Sequence, residues 1–205
     1  MAPSTNMEEE RHYRRCLIGG TFDRFHSGHM SLIETGLSKC EKIEVWITDD
    51  KIAQSKDRLV KNWEERKADL ENATSTHSSR ISIHLLSDKH GPSLENHHAT
   101  AIICTNETID NCLEINSQRE EKGLEPLEII SVDRVISWNG NPISSSQIRA
   151  GVMDRKGDPW IPESLIGSDV TLTTLVESEL KKPFGQLIEG PEEDTSIAII
   201  EALSQ

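Results

Sequence analysis

The stretch GGTFDRFHSGH at residues 19–29 places three glycines and two histidines directly after an apolar segment. Gly19 and Gly20 are expected to end a strand. Glycine at that position lets a ligand approach the backbone closely. The HSGH of residues 26–29 leads into a helical pattern, with Ser27 as the predicted N-cap. Free N–H groups and a partial positive charge at a helix N-terminus attract phosphate. The stretch therefore predicts a phosphate site of backbone N–H groups and imidazoles.

The rest of the chain alternates short apolar segments with helical patterns. Each predicted strand is rich in Ile or Val and bounded by polar residues, Gly or Pro. The predicted strands are 14–19, 42–48, 80–86, 100–104 and 126–132, and the helical patterns are 28–39, 62–74 and 106–121. Such alternation predicts an α/β fold, a Rossmann-like doubly wound parallel five-stranded sheet with helices on both faces. Ligands bind outside the carboxyl ends of such strands, which is where residues 19–29 lie.

Composition divides the chain into three predicted parts: a flexible N-terminal lead at 1–12, the sheet domain at 13–152, and a linker with an acidic extension at 153–205. The formal net charge is −13, and residues 161–205 contribute −7 of it from nine acids and two bases. This balance argues against generic nucleic-acid binding, which needs a basic face. No apolar run is long enough to span a bilayer, and the N-terminus lacks a secretory pattern. We expect a cytoplasmic protein without a membrane partner.

The four cysteines show no C-x-x-C pair, so zinc ligation of the usual spacing is not expected. They are Cys16, Cys40, Cys104 and Cys112. Most lie among apolar residues, where a free thiol behaves as a small hydrophobe. We therefore expect reduced, structural cysteines. The histidines outside residues 26–29 show no metal-ligand spacing, and no protein metal site is predicted.

A second helix N-terminus is predicted in NPISSSQIRAG at residues 141–151. Ser144 and Gln147 fit the capping-box pattern S-x-x-Q. Hydroxyl groups of Ser144, Ser145 and Ser146 would line the turn, and Arg149 adds a fixed positive charge that suits phosphate. The alternative is a serine-rich loop that only caps a helix.

The order strand, G-G-T-F-D-x-x-H-x-G-H, helix resembles the signature of the H-x-G-H nucleotidyltransferase superfamily. Within it, residues 14–151 are similar to the phosphopantetheine adenylyltransferases of archaeal and eukaryotic type. Four further blocks carry the resemblance: ITDDKIAQSK at 47–56, EERKADL at 64–70, DKHGPS at 88–93 and ISSSQIRAG at 143–151.

The resemblance implies transfer of AMP from ATP to 4'-phosphopantetheine, giving dephospho-coenzyme A and pyrophosphate. Mg²⁺ would bind mainly through the substrate phosphates. The implied catalytic residues are four: His29 stabilises charge at the α-phosphate, His26 holds the triphosphate, Thr21 orients the attacking phosphate, and Lys56 covers a phosphate group.

The resemblance also implies two sets of contacts. The nucleotide would be bound by Gly19, Gly20, Thr21, Phe22, His26, Gly28, His29, Thr105, Glu107, Ser144, Ser145, Ser146 and Arg149. The acceptor substrate would be bound by Thr21, Asp23, Lys56, Arg66, Asp88, Gly91 and Pro92. For Arg66 a purely structural pairing with an acid is an equal alternative.

Two other functions remain open at this point. The first is another H-x-G-H enzyme, a cytidylyltransferase or an FMN adenylyltransferase, and the second is a non-catalytic nucleotide-binding protein. LKKPFGQLIEG at 180–190 resembles the opening of the archaeal GTP-dependent dephospho-coenzyme A kinase. We expect a remnant, a truncated domain or a docking tail there, without kinase activity. The sequence does not indicate the oligomeric state, the choice between ATP and CTP, or feedback regulation.

Overall fold

The computed structural model describes residues 12–55, 57–150 and 152–159. Its centre is one sheet in which every neighbouring pair of strands is parallel. The strands are β1 (Tyr13–Gly20), β2 (Cys40–Thr48), β3 (Ile81–Leu86), β4 (Ala101–Thr105) and β5 (Glu128–Val132). Their order across the sheet is β3-β2-β1-β4-β5. The predicted parallel five-stranded sheet is confirmed, and each predicted strand overlaps an observed one.

The helices connect the strands in the alternation that the sequence indicated. They are α1 (Ser27–Lys39), α2 (Asp50–Gln54), α3 (Trp63–Ala73), α4 (Ile109–Glu121) and α5 (Ser145–Arg149), with short 3₁₀ turns at Ser75–His77 and Gly91–Leu94. A complete capping box begins α3, in which Asn62 and Glu65 satisfy each other's backbone N–H groups. This device supplies partners for N–H groups that a helix leaves unpaired at its start.

Side chains that alternate along β1 pack on opposite faces of the sheet. Ile18 belongs to a buried cluster with Ile33 of α1 and Leu70 of α3. Leu17 belongs to a second buried cluster with Ile115 of α4. Because a strand points successive side chains to opposite faces, one strand contributes to both cores. Helices therefore cover both faces, as predicted.

The strand order places a topological switch point at the centre of the sheet. β1 pairs with β2 on one side and with β4 on the other. The chain thus proceeds outward to β2 and β3, and then returns past β1 to form β4 and β5. The helices that follow β1 and β4 pack on opposite faces of the sheet, and such a switch point leaves a crevice at the carboxyl ends of the two strands.

Two cysteines depart from the predicted set of free thiols. Cys16 of β1 and Cys40 at the start of β2 form a disulfide with a Cα–Cα distance of 6.2 Å. Both residues are fully buried. The prediction is wrong for this pair because neighbouring parallel strands bring together residues that are distant in sequence. Cys104 and Cys112 are free and buried, as expected.

Residues after the predicted domain boundary at 152 pack against the sheet domain. Met153 is fully buried in a small cluster with Ile143 and Ile148. The carbonyl of Gly157 accepts a hydrogen bond from the backbone of Trp138 at 3.0 Å. Packing contacts in the described part of the chain therefore continue past residue 152 to Gly157. The lead at 1–11 and the kinase-like stretch at 180–190 lie outside the described residues. No helix in the described part of the chain is long and apolar enough to cross a membrane.

Candidate active site

A cavity of about 260 Å³ opens at the carboxyl ends of β1, β4 and β5, at the switch point. Nine of the residues that the sequence singled out line it: Gly19, Gly20, Phe22, His26, Gly28, His29, Thr105, Glu107 and Ser144. They come from the β1–α1 turn, from the segment after β4 and from the turn before α5. Segments that are far apart in the chain therefore meet in one cleft.

The turn between β1 and α1 has an unusual backbone. Phe22 and Arg24 have φ angles of 54° and 46°, a region that non-glycine residues rarely adopt. Both side chains are buried, and so is Phe25. A Cβ on Gly20 would lie 3.0 Å from the Phe22 ring, so glycine lets the ring cover the end of β1. Backbone strain of this kind persists only where surrounding contacts enforce it, and it concentrates at functional sites.

His26 is the N-cap of α1, and the prediction of Ser27 in that role is wrong. The His26 Nδ1 atom accepts a hydrogen bond from the backbone N–H of Gly28 at 3.1 Å. The neutral ring therefore carries its proton on Nε2. A Cβ on Gly28 would lie 3.0 Å from the His26 ring, which explains the small residue. The Ser27 hydroxyl instead donates to the carbonyl of Arg155 at 3.3 Å.

The two imidazoles of the turn stack face to face, with ring centroids 3.8 Å apart. Burial, with a smaller contribution from the positive charge of Arg155, lowers the pKa of His26 to about 4 against the opposing effect of Asp23. Burial also holds the pKa of His29 well below its usual value, with a smaller effect from His26. Among the described residues, the buried Nδ1 atom of His29 has no hydrogen-bond partner. Both rings are therefore neutral near pH 7, and a bound anion would favour their protonation.

The turn before α5 contacts the β1–α1 turn directly. Ser144 is the N-cap of α5, and its Oγ accepts from the backbone N–H of Gln147 at 3.4 Å. The Ser145 hydroxyl donates to the carbonyl of Asp23 at 2.7 Å. The Ser146 hydroxyl lies 3.2 Å from that of Ser144. The predicted helix start is confirmed, and the two helix N-termini adjoin.

A set of ion pairs beneath this junction, here called the Asp23 network, ties the two turns together. Asp23 is 1% exposed and accepts from Nη1 of Arg149 at 2.5 Å and from Nη1 of Arg24 at 3.2 Å. It also accepts from the backbone N–H of Lys61 at 3.0 Å. The second nitrogen of Arg149 lies 2.6 Å from Asp57. The Asp23 carboxylate is thus covered and committed to cations, and it supports the two turns from beneath the cleft. Its predicted contact with substrate stays a prediction.

Arg66 of α3 supports the β1–α1 turn from its buried side. Its fully buried guanidinium donates to the carbonyls of Thr21 and Thr48, each at 2.8 Å, and pairs with Asp50 at 2.9 Å. Its Nε donates to the carbonyl of Lys61 at 2.8 Å. Of the two roles that the sequence left open, this geometry supports the structural one, because the side chain has no surface left for substrate.

The remaining predicted residues lie elsewhere. The Thr21 hydroxyl accepts from that of Thr48 at 3.3 Å. Asp88 accepts from the backbone N–H groups of His90 and Gly91, which lowers the pKa of its carboxyl group. This turn, which includes Pro92, follows the edge strand β3 and does not line the cavity. Lys56 lies outside the described residues. The substrate roles of all these residues stay predictions.

The sequence analysis missed one side of the cleft. Val132, Asp133, Arg134 and Val135 line it, and Arg134 forms an ion pair with Glu107. Val132 ends the strand predicted at 126–132 and the other three residues directly follow it, and the carboxyl ends of parallel strands share one edge of a sheet. Their position at the carboxyl end of a predicted strand could therefore have identified them from the sequence. Apolar side chains from other elements complete this part of the wall: Leu32, Ile103 and Ile143.

In the described part of the chain, no cluster of three or more His, Cys, Asp or Glu side chains is arranged to hold a metal ion. The cleft instead offers neutral imidazoles, hydroxyl groups and helix N-termini. These are hydrogen-bond donors, and they suit a phosphorylated ligand.

Comparisons with known proteins agree with this chemistry. A family model described as cytidylyltransferase-like matches residues 17–151. The phosphopantetheine adenylyltransferase of Methanosarcina barkeri is 39% identical over 148 residues, which cover 70% of this chain and 91% of the relative. The enzyme of that name from Thermococcus kodakarensis is 36% identical over 157 residues, covering 72% of this chain and 91% of the relative.

Two solved structures share the fold. A protein of unknown function from Archaeoglobus fulgidus superposes with a TM-score of 0.54 and 24% identity, covering 63% of this chain and 99% of that one. A bifunctional NMN adenylyltransferase/ADP ribose pyrophosphatase from Francisella tularensis superposes with a TM-score of 0.51 and 16% identity, covering 71% of this chain and 45% of that one.

Proposed function

Since this chain belongs to the phosphopantetheine adenylyltransferases, a family of cytidylyltransferase-like proteins, we propose that it transfers AMP from ATP to 4'-phosphopantetheine. The products are dephospho-coenzyme A and pyrophosphate. The observation that carries the proposal is the meeting of two helix N-termini, with His26, His29 and Ser144 on one cleft at the switch point.

The reaction needs no general base from the protein. The phosphate of 4'-phosphopantetheine is an anion at neutral pH and attacks the α-phosphorus of ATP, while the bond from that phosphorus to the bridging oxygen breaks. Catalysis then consists of holding two polyanions in line and stabilising the charge that develops between them. The donors of the two turns supply both functions in this proposal.

The paired imidazoles are assigned to the triphosphate. His29 is proposed to donate to an oxygen of the α-phosphate, and His26 to an oxygen further along the chain of phosphates. Both rings are neutral in the free protein because burial lowers each pKa. A polyanion in the cleft raises the pKa of each imidazole, so the donors strengthen as the nucleotide binds.

The turn before α5 is assigned to the phosphates distal to the α-phosphate. Ser144, the N-cap of α5, lines the cleft. Arg149 contributes a positive charge whose position is set by the buried Asp23. Thr21 and Lys56 keep the acceptor-side roles that the resemblance implies.

The apolar wall formed by Leu32, Ile103, Val132, Val135 and Ile143 is assigned to the nucleotide base. Thr105 and Glu107 line the same cleft and are assigned to the nucleoside. Mg²⁺ coordinated mainly by triphosphate oxygens belongs to the proposal, since this ion commonly takes substrate phosphates as ligands. A cytoplasmic location is proposed with the function.

Pyrophosphate release tests the proposal. Purified protein is incubated with ATP and 4'-phosphopantetheine, with and without Mg²⁺, and with CTP and glycerol phosphate in parallel. We expect release only with the first pair and only with Mg²⁺. Release with CTP and glycerol phosphate would identify a cytidylyltransferase, and absence of release with any pair would identify a non-catalytic nucleotide-binding protein.

A further inference from the structure

We propose that Arg155 is a further ligand of the nucleotide's phosphates. Arg155 lies beyond the family-model match, which ends at residue 151, and it was not among the residues selected from the sequence. The inference rests on the proposed function in taking a polyphosphate as the ligand. It adds a guanidinium to the imidazoles and hydroxyl groups already described.

The backbone of Arg155 is fixed at the first turn of α1. Its carbonyl accepts from the backbone N–H of Ser27 at 2.9 Å and from the Ser27 hydroxyl at 3.3 Å. Ser27 lies between His26 and Gly28, in the centre of the H-x-G-H turn. The chain after α5 thus returns to the imidazole pair.

The segment that carries Arg155 is itself ordered by local contacts. Asp154 is 1% exposed, and its Oδ1 accepts from the backbone N–H groups of Lys156 at 2.8 Å and Asp158 at 2.9 Å. Met153 is fully buried beside Ile143. The Arg155 side chain therefore extends from a rigid turn, which reduces the entropy lost when its guanidinium binds a ligand.

The guanidinium of Arg155 retains capacity for a ligand. Its Nη2 lies 3.3 Å from Asp69, and the side chain is 37% exposed. Asp69 is shared with Lys61, whose Nζ lies 3.1 Å away. One carboxylate therefore serves two cations, and a guanidinium has five N–H donors of which a single contact uses few. Planar pairing with phosphate oxygens is the geometry for which arginine is suited.

Several cations converge near this turn in a strongly acidic chain. The ion pairs of the Asp23 network and of Asp69 join four cations to three carboxylates: Arg24, Lys61, Arg149 and Arg155 with Asp23, Asp57 and Asp69. The positive charge of Arg155 also lowers the pKa of both His26 and Arg24. A polyanion at this turn would relieve the repulsion among these cations.

The test compares two neighbouring substitutions that remove one positive charge each. Arg155→Gln removes the proposed ligand, and Lys156→Gln is the matched control on an exposed side chain. Binding of inorganic pyrophosphate is measured by calorimetry, and kcat and KM for ATP by pyrophosphate release. We expect Arg155→Gln to raise the Kd for pyrophosphate and the KM for ATP about tenfold or more. Lys156→Gln should change either constant less than about twofold.

An NMR titration of the imidazole protons supplies a readout that does not depend on turnover. Arg155→Gln should raise the pKa of His26 from about 4, because a nearby positive charge is removed. The other groups that act on His26, namely Asp23 and the His29 ring, are unchanged in both variants. Lys156→Gln should leave the His26 titration where it is.

The outcomes separate the inference from the proposed function. Unchanged pyrophosphate binding in Arg155→Gln, with a lower melting temperature, would assign Arg155 a structural role and overturn the inference. Arg155→Lys provides the same comparison if the glutamine variant does not fold. A wild-type protein that binds pyrophosphate through Arg155 without transferring AMP would reject the proposed reaction and keep this inference. A wild-type protein that does not bind pyrophosphate would overturn the inference.

Discussion

The two turns that meet at the cleft are built by different means. The β1–α1 turn is buried and strained, with non-glycine residues in left-handed conformations and neutral imidazoles stacked at its end. The turn before α5 is half-exposed, begins a helix of five residues and presents serine hydroxyl groups. Its one charged side chain, Arg149, is directed into the first turn. The first turn therefore depends on the second for its charge balance, and the second depends on the first for its position.

Substitution of Asp23 tests that dependence and should have the largest effect. Asp23→Asn leaves buried Arg24 and Arg149 without their shared counterion, and breaking a buried pair costs about 3–5 kcal/mol. We expect the free energy of unfolding in urea to fall by about that amount. Asp57→Asn is the matched control on the same arginine, because its carboxylate is partly exposed, and it should cost about 1 kcal/mol or less. Equal losses in the two variants would show that the two turns are not held together through Asp23.

Loss of His29 should affect catalysis and not folding. His29→Ala removes a donor proposed to act on the α-phosphate, and loss of one such donor lowers kcat about 10²- to 10³-fold. Pyrophosphate release measures the effect, and circular dichroism verifies the fold. His97→Ala, an exposed loop histidine, serves as the control and should retain full activity. Activity of His29→Ala within a few-fold of wild type would show that His29 of the first turn takes no part in the chemical step.

The buried imidazole of His26 makes stability depend on pH. Its pKa is about 4 in the folded protein and about 6.5 unfolded, so the unfolded chain binds more protons between these values. The contribution of His26 to the free energy of unfolding, up to about 3 kcal/mol, is therefore fully present above about pH 6.5 and is lost as the pH falls towards 4. His29 acts in the same direction. Urea denaturation across this range checks the slope.

A His26→Gln variant isolates this pH effect, since glutamine does not titrate. Its unfolding free energy should change less between pH 6.5 and 4 than that of the wild type. The same slope in both proteins would mean that His26 is not held neutral by burial.

The smallest expected effect concerns the cap of the second turn. Ser144→Ala removes the side-chain acceptor for the backbone N–H of Gln147, and loss of an N-cap costs about 1 kcal/mol. Thermal denaturation should show a correspondingly lower melting temperature, and Ser146→Ala provides an exposed comparison. If Ser144→Ala has no effect on stability, the start of α5 is maintained by its tertiary contacts alone.

Most of the fold was readable from local patterns. Each predicted strand overlaps an observed one, because runs of Ile and Val between turn residues report burial directly. The H-x-G-H turn and the serine turn were also local signals, and each precedes a helix. Met153 lies just after the predicted boundary at 152 and is buried against Ile143 and Ile148, a contact that no local pattern reports.

The site residues divide in a similar way. Gly19, Gly20 and Gly28 were selected as members of the G-G-T-F-D-x-x-H-x-G-H motif, and all three line the cleft. Asp23 was selected as a contact for substrate and Arg66 either as such a contact or as a structural pair, and the structure buries both. A motif identifies which residue types recur at a site, but it does not report which of them face the ligand and which support those that do.

The sequence by itself determined the α/β class, the strand positions, the chemistry of the two turns and the family resemblance, because each is written in residues that are close along the chain. Tertiary structure alone decided the pairing of Asp23 with Arg149 across 126 positions, the Cys16–Cys40 disulfide and the return of Arg155 to the first turn of α1. The physical reason is that the formation of an ion pair, a disulfide or a hydrogen bond depends on distance in space and on burial. Both are set by the packing of the sheet and its helices and have no local signature.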